Sequence, residues 1–276
     1  MKIKIITDST ADVTKQTRSQ FNIVPLTVRF GNEQFLDGID LDYDSFYTKL
    51  ETEESFPSTS QANPMVFEQV YQKTLEEYDA AIVITVSSRL SGTYQSAMIA
   101  AQEYKNKIFV VDSFNGSIGT GILAKRGLEL IDQGLDVQEI VDILNREKEK
   151  IVVRGIPTTL EYLKRGGRIS SASALAGTVL SIKPILGVID GKVESIGKAR
   201  GTKKAYRIMN EEVEKCGGID YQRPYSLGYT GNDIQPLQQY IEFSQPMWKD
   251  VDIARVGTAI GTHLGPGAIL VAFFKQ

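Results

Sequence analysis

The apolar positions of this chain fall into two regimes that change near residue 153. Before it, short aliphatic runs alternate with polar turns and helical stretches. Lys2–Ile6 reads as a buried strand, stopped by the polar run Thr7-Asp8-Ser9-Thr10-Ala11-Asp12 and followed by a short helix. Ile23–Phe30 reads as one extended segment, Gly31-Asn32-Glu33 as a turn and Tyr43–Glu51 as a helix. A polar loop then runs from Phe56 to Asn63. Asn63 suits an N-cap and Pro64 the first helical position, which predicts a helix to about Tyr78. Ala80–Val86 is a second buried strand, Ser87–Gly92 a tight turn, Thr93–Tyr104 a helix and Ile108–Val111 a strand. Helices over Thr120–Gln133 and Val137–Lys150 follow. Such alternation predicts a parallel sheet with helices on both faces, and ligand loops at the carboxyl ends of its strands.

The second regime is of another kind. Val152–Ile156 reads as a strand and Thr158–Arg165 as a short helix, broken by Gly166-Gly167-Arg168-Ile169-Ser170. Ala172–Leu180 is small and apolar, suited to close helix packing or to walling a pocket. Ile185–Ile189 and Lys192–Ile196 flank Asp190-Gly191, a favoured two-residue hairpin turn. A helix over Lys203–Lys215 stops at Gly217-Gly218. Tyr225–Tyr229, Val251–Val256 and Ile269–Phe274 read as strands, with a helix near Ile234–Phe243. The expected fold is α/β: an N-terminal domain, residues 1–153, with a parallel sheet flanked by helices, and a C-terminal α+β domain, residues 154–276, with a mixed or antiparallel sheet.

Composition narrows the function. With 276 residues, 42% of them apolar, the chain has material for one large domain or two modest ones. The net charge of −3 lacks the basic excess of a duplex-binding domain, so nucleic acid is not expected as a partner. One cysteine, Cys216, and one histidine, His263, exclude a disulfide framework and any multi-cysteine zinc site. Asp40, Asp42 and Asp44 alternate, but lack the glycine and glutamate of a calcium loop and read as an acidic surface loop capping the next helix. No metal and no cofactor are called for. The start turns polar too early for a signal peptide, and the longest apolar runs are of strand length, so no integral membrane segment and a cytoplasmic location are expected.

Three loops and a set of arginines offer chemistry. Ser58-Thr59-Ser60-Gln61 precedes a helix start, where free N–H groups and hydroxyls suit an anion; ordinary capping explains the same residues. Ser87–Thr93 has the strand–turn–helix order of a nucleophile elbow, but Arg-Leu-Ser-Gly-Thr fails the motif at its first glycine. Gly257–Gly267 carries four glycines in eleven residues and the only histidine, and reads as a glycine-rich loop between strands. Arg165, Arg168 and Arg200 suit an anionic ligand or plain solvated surface. A serine hydrolase would need Ser91, His263 and an acid such as Asp8 or Asp112. The same hydroxyls, N–H groups and imidazole could instead bind a carboxylate without chemistry. Spacing alone leaves both readings open.

Six segments, taken in order, resemble the DegV family of bacterial fatty-acid-binding proteins: Thr7–Asp12, Pro57–Gln61, Ser88–Ala97, Leu163–Ser170, Lys183–Leu186 and Gly261–Gly267. They span the chain from end to end. The resemblance implies a two-domain α/β protein holding one long-chain fatty acid in a tunnel. It implies a carboxylate held by Thr59, Ser91, Thr262 and His263, with Arg168 and Arg200 as contacts to a partner or to an acyl phosphate. It also implies a non-enzymatic acyl carrier serving a separate fatty acid kinase, whose acyl-phosphate product enters phospholipid synthesis. Serine-hydrolase chemistry is not implied.

Overall fold

The computed structural model describes residues 1–53, 55–169 and 182–276; Ser170 and the apolar stretch Ala172–Leu180 lie outside them. In chain order the first half holds β1 (Ile3–Asp8), β2 (Asn22–Val24), β3 (Thr27–Phe30), β4 (Glu33–Leu36), α1 (Tyr43–Thr52), β5 (Ser58–Ser60), α2 (Pro64–Leu75), β6 (Ala80–Thr85), α3 (Thr93–Ala101), β7 (Ile108–Asp112), α4 (Ile118–Asp132) and α5 (Val137–Glu147). The second half holds β8 (Ile151–Ile156), α6 (Glu161–Arg165), β9 (Ile182–Ile189), β10 (Lys192–Arg200), α7 (Thr202–Lys215), β11 (Ser226–Tyr229), α8 (Gln235–Phe243), β12 (Asp252–Arg255), α9 (Thr258–Leu264) and β13 (Ile269–Phe274).

Strand periodicity assembles these elements into layers. In β1 and β6, Ile3, Ile5, Ile82 and Ile84 enter one core while Ile6, Ala81 and Val83 enter another. In β13, Leu270, Ala272 and Phe274 share the first of these cores, whereas Ile269, Val271 and Phe273 enter a third. Alternate side chains leave a strand on opposite faces, so each sheet is buried on both sides. The first sheet is parallel throughout, in the order β2-β1-β6-β7. The second has the order β10-β9-β8-β13-β11-β12, antiparallel except for β11 and β12. Helix α4 lies between them, packed on β1 and β6 from one side and on β8, β11 and β13 from the other. α2 and α3 cover the outer face of the parallel sheet, and α7 and α8 that of the mixed sheet.

The mixed α/β architecture expected from the pattern is present. The limit between 1–153 and 154–276 falls inside β8, which pairs with β9 and β13 of the six-stranded sheet. Three local expectations are corrected. The extended segment Ile23–Phe30 is two strands: Pro25, which has no N–H for a ladder, separates β2 in the parallel sheet from β3 in a three-stranded antiparallel sheet, β4-β3-β5. Ser58–Ser60 is not a loop but β5, an edge strand paired with Thr27–Arg29. The glycine-rich loop contains a helix, α9, and His263 sits in its last turn. The acidic run is structural: Asp42 caps α1 through the Ser45 N–H, and Asp40 accepts from the Leu36 N–H. Among the described residues no group of three or more acidic, His or Cys side chains is placed to hold a metal, and no helix is long and apolar enough to cross a membrane.

Candidate functional site

The loops that follow β1, β6 and β7 face the inner side of the mixed sheet across a cavity of about 940 Å3, counting its open mouth. That size is in the range of small-molecule sites. Aliphatic side chains dominate its walls. Leu26, Val86 and Leu90 come from the first half; Val153, Leu186, Val188, Val193 and Leu270 come from the mixed sheet; Leu163 comes from α6 and Ile260 and Leu264 from α9. The cavity therefore opens where the carboxyl ends of parallel strands place ligand loops.

Its polar lining is concentrated in a few segments. In β5 the side chains alternate, so Thr59 turns inward while Ser58 and Ser60 are exposed. Thr59 Oγ1 lies 2.8 Å from His263 Nε2. Ser91 lines the cavity beside the start of α3; its Oγ is 2.8 Å from Thr93 Oγ1 and accepts from the Thr93 N–H. Arg168 lies at the exposed rim, donating to the carbonyls of Gly166 and Leu90.

Burial pushes the His263 imidazole down to about 4, with a further contribution from the positive charge of Arg168, so the ring is neutral at pH 7. A neutral ring has one N–H and one acceptor nitrogen. Nδ1 is buried without a partner among the described residues, against Gly166, where a Cβ would collide with it. A stranded N–H is worse than a stranded lone pair, so the proton belongs on Nε2, pointing at Thr59. Thr59 Oγ1 then accepts from the ring and keeps its own proton free to donate.

The structure brings Thr59, Ser91, Arg168 and His263 to one cavity. Thr262 is elsewhere: one residue from His263, it is turned about 100° round the helix. It is fully buried, donates to the Thr258 carbonyl and does not line the cavity. Arg200 is exposed at the end of β10, also outside the lining. Residue type alone does not assign Gln61 to the site. It lines the cavity, its Nε2 donating to Ser96 and its side chain filling the space a Cβ at Gly92 would need. The adjacency of Gln61 to Gly92 depends on the fold, and no local pattern announced it.

The hydrolase constellation is not assembled. Ser91 is bonded to Thr93 and His263 to Thr59. Asp8 accepts from the Thr10 and Val86 N–H groups, and Asp112 from those of Ser88 and Phe114. No acid orients the imidazole, whose Nδ1 is without a partner among the described residues.

Comparison with known proteins agrees with this geometry. A family model described as "Uncharacterised protein, DegV family" matches residues 2–276. A DegV domain-containing protein of Deinococcus radiodurans is 35% identical over 278 residues, covering 99% of this chain and 98% of its own. The solved structure of a DegV family protein from Thermus thermophilus, described by its fatty acid binding, superposes with a TM-score of 0.89 at 33% identity, covering 99% of this chain and 100% of the other. A DegV lipid-binding protein from Thermotoga maritima gives 0.88 at 26% identity, covering 99% of each chain. Matched along almost its whole length in both sequence and fold, the chain belongs to the DegV family.

Proposed function

We propose that this chain binds one long-chain fatty acid, with the hydrocarbon in the aliphatic cavity and the carboxylate at Thr59, Ser91 and His263. The observation that carries the reading is a cavity walled by aliphatic side chains and furnished at one part of its wall with neutral hydrogen-bond donors. A sixteen-carbon acid has roughly 14 methylenes; at about 0.8 kcal/mol each their burial supplies ~11 kcal/mol, less the cost of ordering the chain. A carboxylate leaving water needs hydrogen bonds, and the Thr59 hydroxyl, aligned by Nε2–H of His263, has one to give. The binding described for the Thermus and Thermotoga relatives supports the same reading.

The finer reading is that of a non-enzymatic cytoplasmic carrier. A separate fatty acid kinase would phosphorylate the bound carboxylate, and the acyl phosphate would enter phospholipid synthesis. The family resemblance supports this, as do the neutral side chains of Thr59, Ser91 and His263, which hold the carboxylate without pairing its charge, although Arg154 and Arg168 also line the cavity. Arg168 at the rim and exposed Arg200 are the proposed contacts for the partner or the acyl phosphate.

Mass spectrometry of the purified protein, native and then denatured, tests the binding class: one released fatty acid per chain is expected. An empty protein that also refuses added fatty acid overturns it. Thr59→Val with Ser91→Ala is expected to weaken binding or kinase turnover by about ten- to a hundred-fold, the loss of one or two hydrogen bonds to a charged group. Unchanged affinity together with unchanged turnover would remove these residues from the site.

A further inference from the structure

Helix α9 is seven residues long, and a helix so short does not sustain itself. Its first turn is held by two carboxylates distant in sequence. Asp12 Oδ1 accepts from the Gly257 N–H at 2.7 Å. Asp37 Oδ1 accepts from the N–H of Thr258 at 3.0 Å and from its hydroxyl at 2.6 Å. The second oxygen of Asp12 accepts from Ser117 Oγ at 2.6 Å, and Ser117 both precedes α4 and lines the cavity. Asp12 thus joins the loop after β1, the start of α4 and the start of α9. Its backbone adopts φ 24°, a left-handed conformation that a non-glycine residue holds only when its surroundings demand it.

The other end of α9 carries His263. A helix with its side chains is about 5–6 Å in radius, so a 20° rotation about its axis carries the imidazole through about 2 Å. That displacement breaks a 2.8 Å hydrogen bond to Thr59. We infer that Asp12 and Asp37 are positioning residues: by fixing the first turn of α9 they set the rotation of the helix and so the place of His263 against Thr59. The inference rests on the reading of His263 as part of the ligand site. Both acids are fully buried, and desolvation raises both, Asp12 to about 8. The charged and titratable groups around them are Arg18, Tyr43, Tyr47 and Asp8, with Arg255 over the rings of both tyrosines. A carboxyl that keeps its proton is mimicked by an amide, so Asp12→Asn retains an acceptor for Gly257 and a polar partner for Ser117.

The test uses the full chain labelled with 15N. It has one histidine, so its imidazole signals report one ring and need no ligand. Asp12→Ala is expected to displace those signals and to lower fatty-acid affinity ten-fold or more, while Asp12→Asn restores both to within two-fold. A folded Asp12→Ala protein with native imidazole signals overturns the inference. Should that variant fail to fold, Ser117→Ala and Asp37→Ala give the same reading, and native signals in both overturn it. A purely structural role would lower the melting temperature and leave the imidazole signals in place. Because the spectrum is taken without ligand, a protein that binds no fatty acid defeats the functional reading and leaves this one testable.

Discussion

The two ends of α9 apply one physical effect with opposite sign. At the first turn, burial raises two acids and favours their neutral forms. At the last turn, burial lowers a base and also favours its neutral form. The hydrogen bonding differs as well. At the first turn the N–H groups of Gly257 and Thr258 and the hydroxyl of Thr258 all have carboxylate acceptors. At the last turn Nδ1 has no partner among the described residues, and the Thr59 hydroxyl has a donor to spare. At the first turn the helix's own donors are all taken up, although Asp37 Oδ2 is buried without a partner among the described residues; at the last turn the spare donor, Thr59, faces the cavity, where a ligand can use it.

Stability against pH breaks this comparison most sharply. Asp12 keeps its proton to about 8 in the folded chain and loses it near 3.8 in the unfolded one. Its contribution is therefore whole below about pH 4 and is lost as pH rises to about 8, by roughly 5 kcal/mol at the upper limit. Asp12→Asn is expected to flatten that slope between about pH 4 and 8 in denaturant titrations. The histidine end runs the other way. The folded ring accepts its proton only near 4, the unfolded one near 6.5, so stability is present above 6.5 and is lost toward pH 4, by roughly 3 kcal/mol. His263→Asn should remove this rise in stability between about pH 4 and 6.5 and leave the opposing fall that Asp12 causes up to about pH 8. Equal slopes in the two variants would dissolve the distinction between the ends.

A smaller effect is expected at Gly166. Ala there puts a methyl where Nδ1 lies, so the ring must shift and its hydrogen bond to Thr59 is disturbed. Fatty-acid affinity should fall about ten-fold by calorimetry, with about 1–3 kcal/mol of stability lost to overpacking. Smallest is Ser91→Ala alone, a few-fold in affinity, since Ser91 also caps the turn through the Thr93 N–H and part of its effect appears as stability.

Much of the fold could be read from local pattern. β13 is an uninterrupted apolar run and β6 is one up to Thr85, and Asp190-Gly191 marks the β9–β10 hairpin. Asn63 and Pro64 open α2 as their types require. Helix α9 was not legible, because what holds Thr258–Leu264 in a helix comes from Asp12 and Asp37, more than two hundred residues away. Nor was β5, three polar residues made a strand only by pairing with β3. The site divides in the same way. Thr59, Ser91 and His263 were found through residue type and family resemblance. The displacement of Thr262 from the cavity needed the helix, since only helical geometry separates it from His263.

Strand β13 lies at the middle of the six-stranded sheet, between β8 and β11, yet follows all the other described strands in sequence. A nascent polypeptide therefore leaves the ribosome with the β13-facing edge of β8 open for more than a hundred residues, a ready template for wrong pairing. Leu270, which completes the aliphatic wall, arrives with that last strand. The aliphatic wall is therefore complete only when β13 has taken its place beside β8, and the vulnerable interval in folding is the wait for that strand.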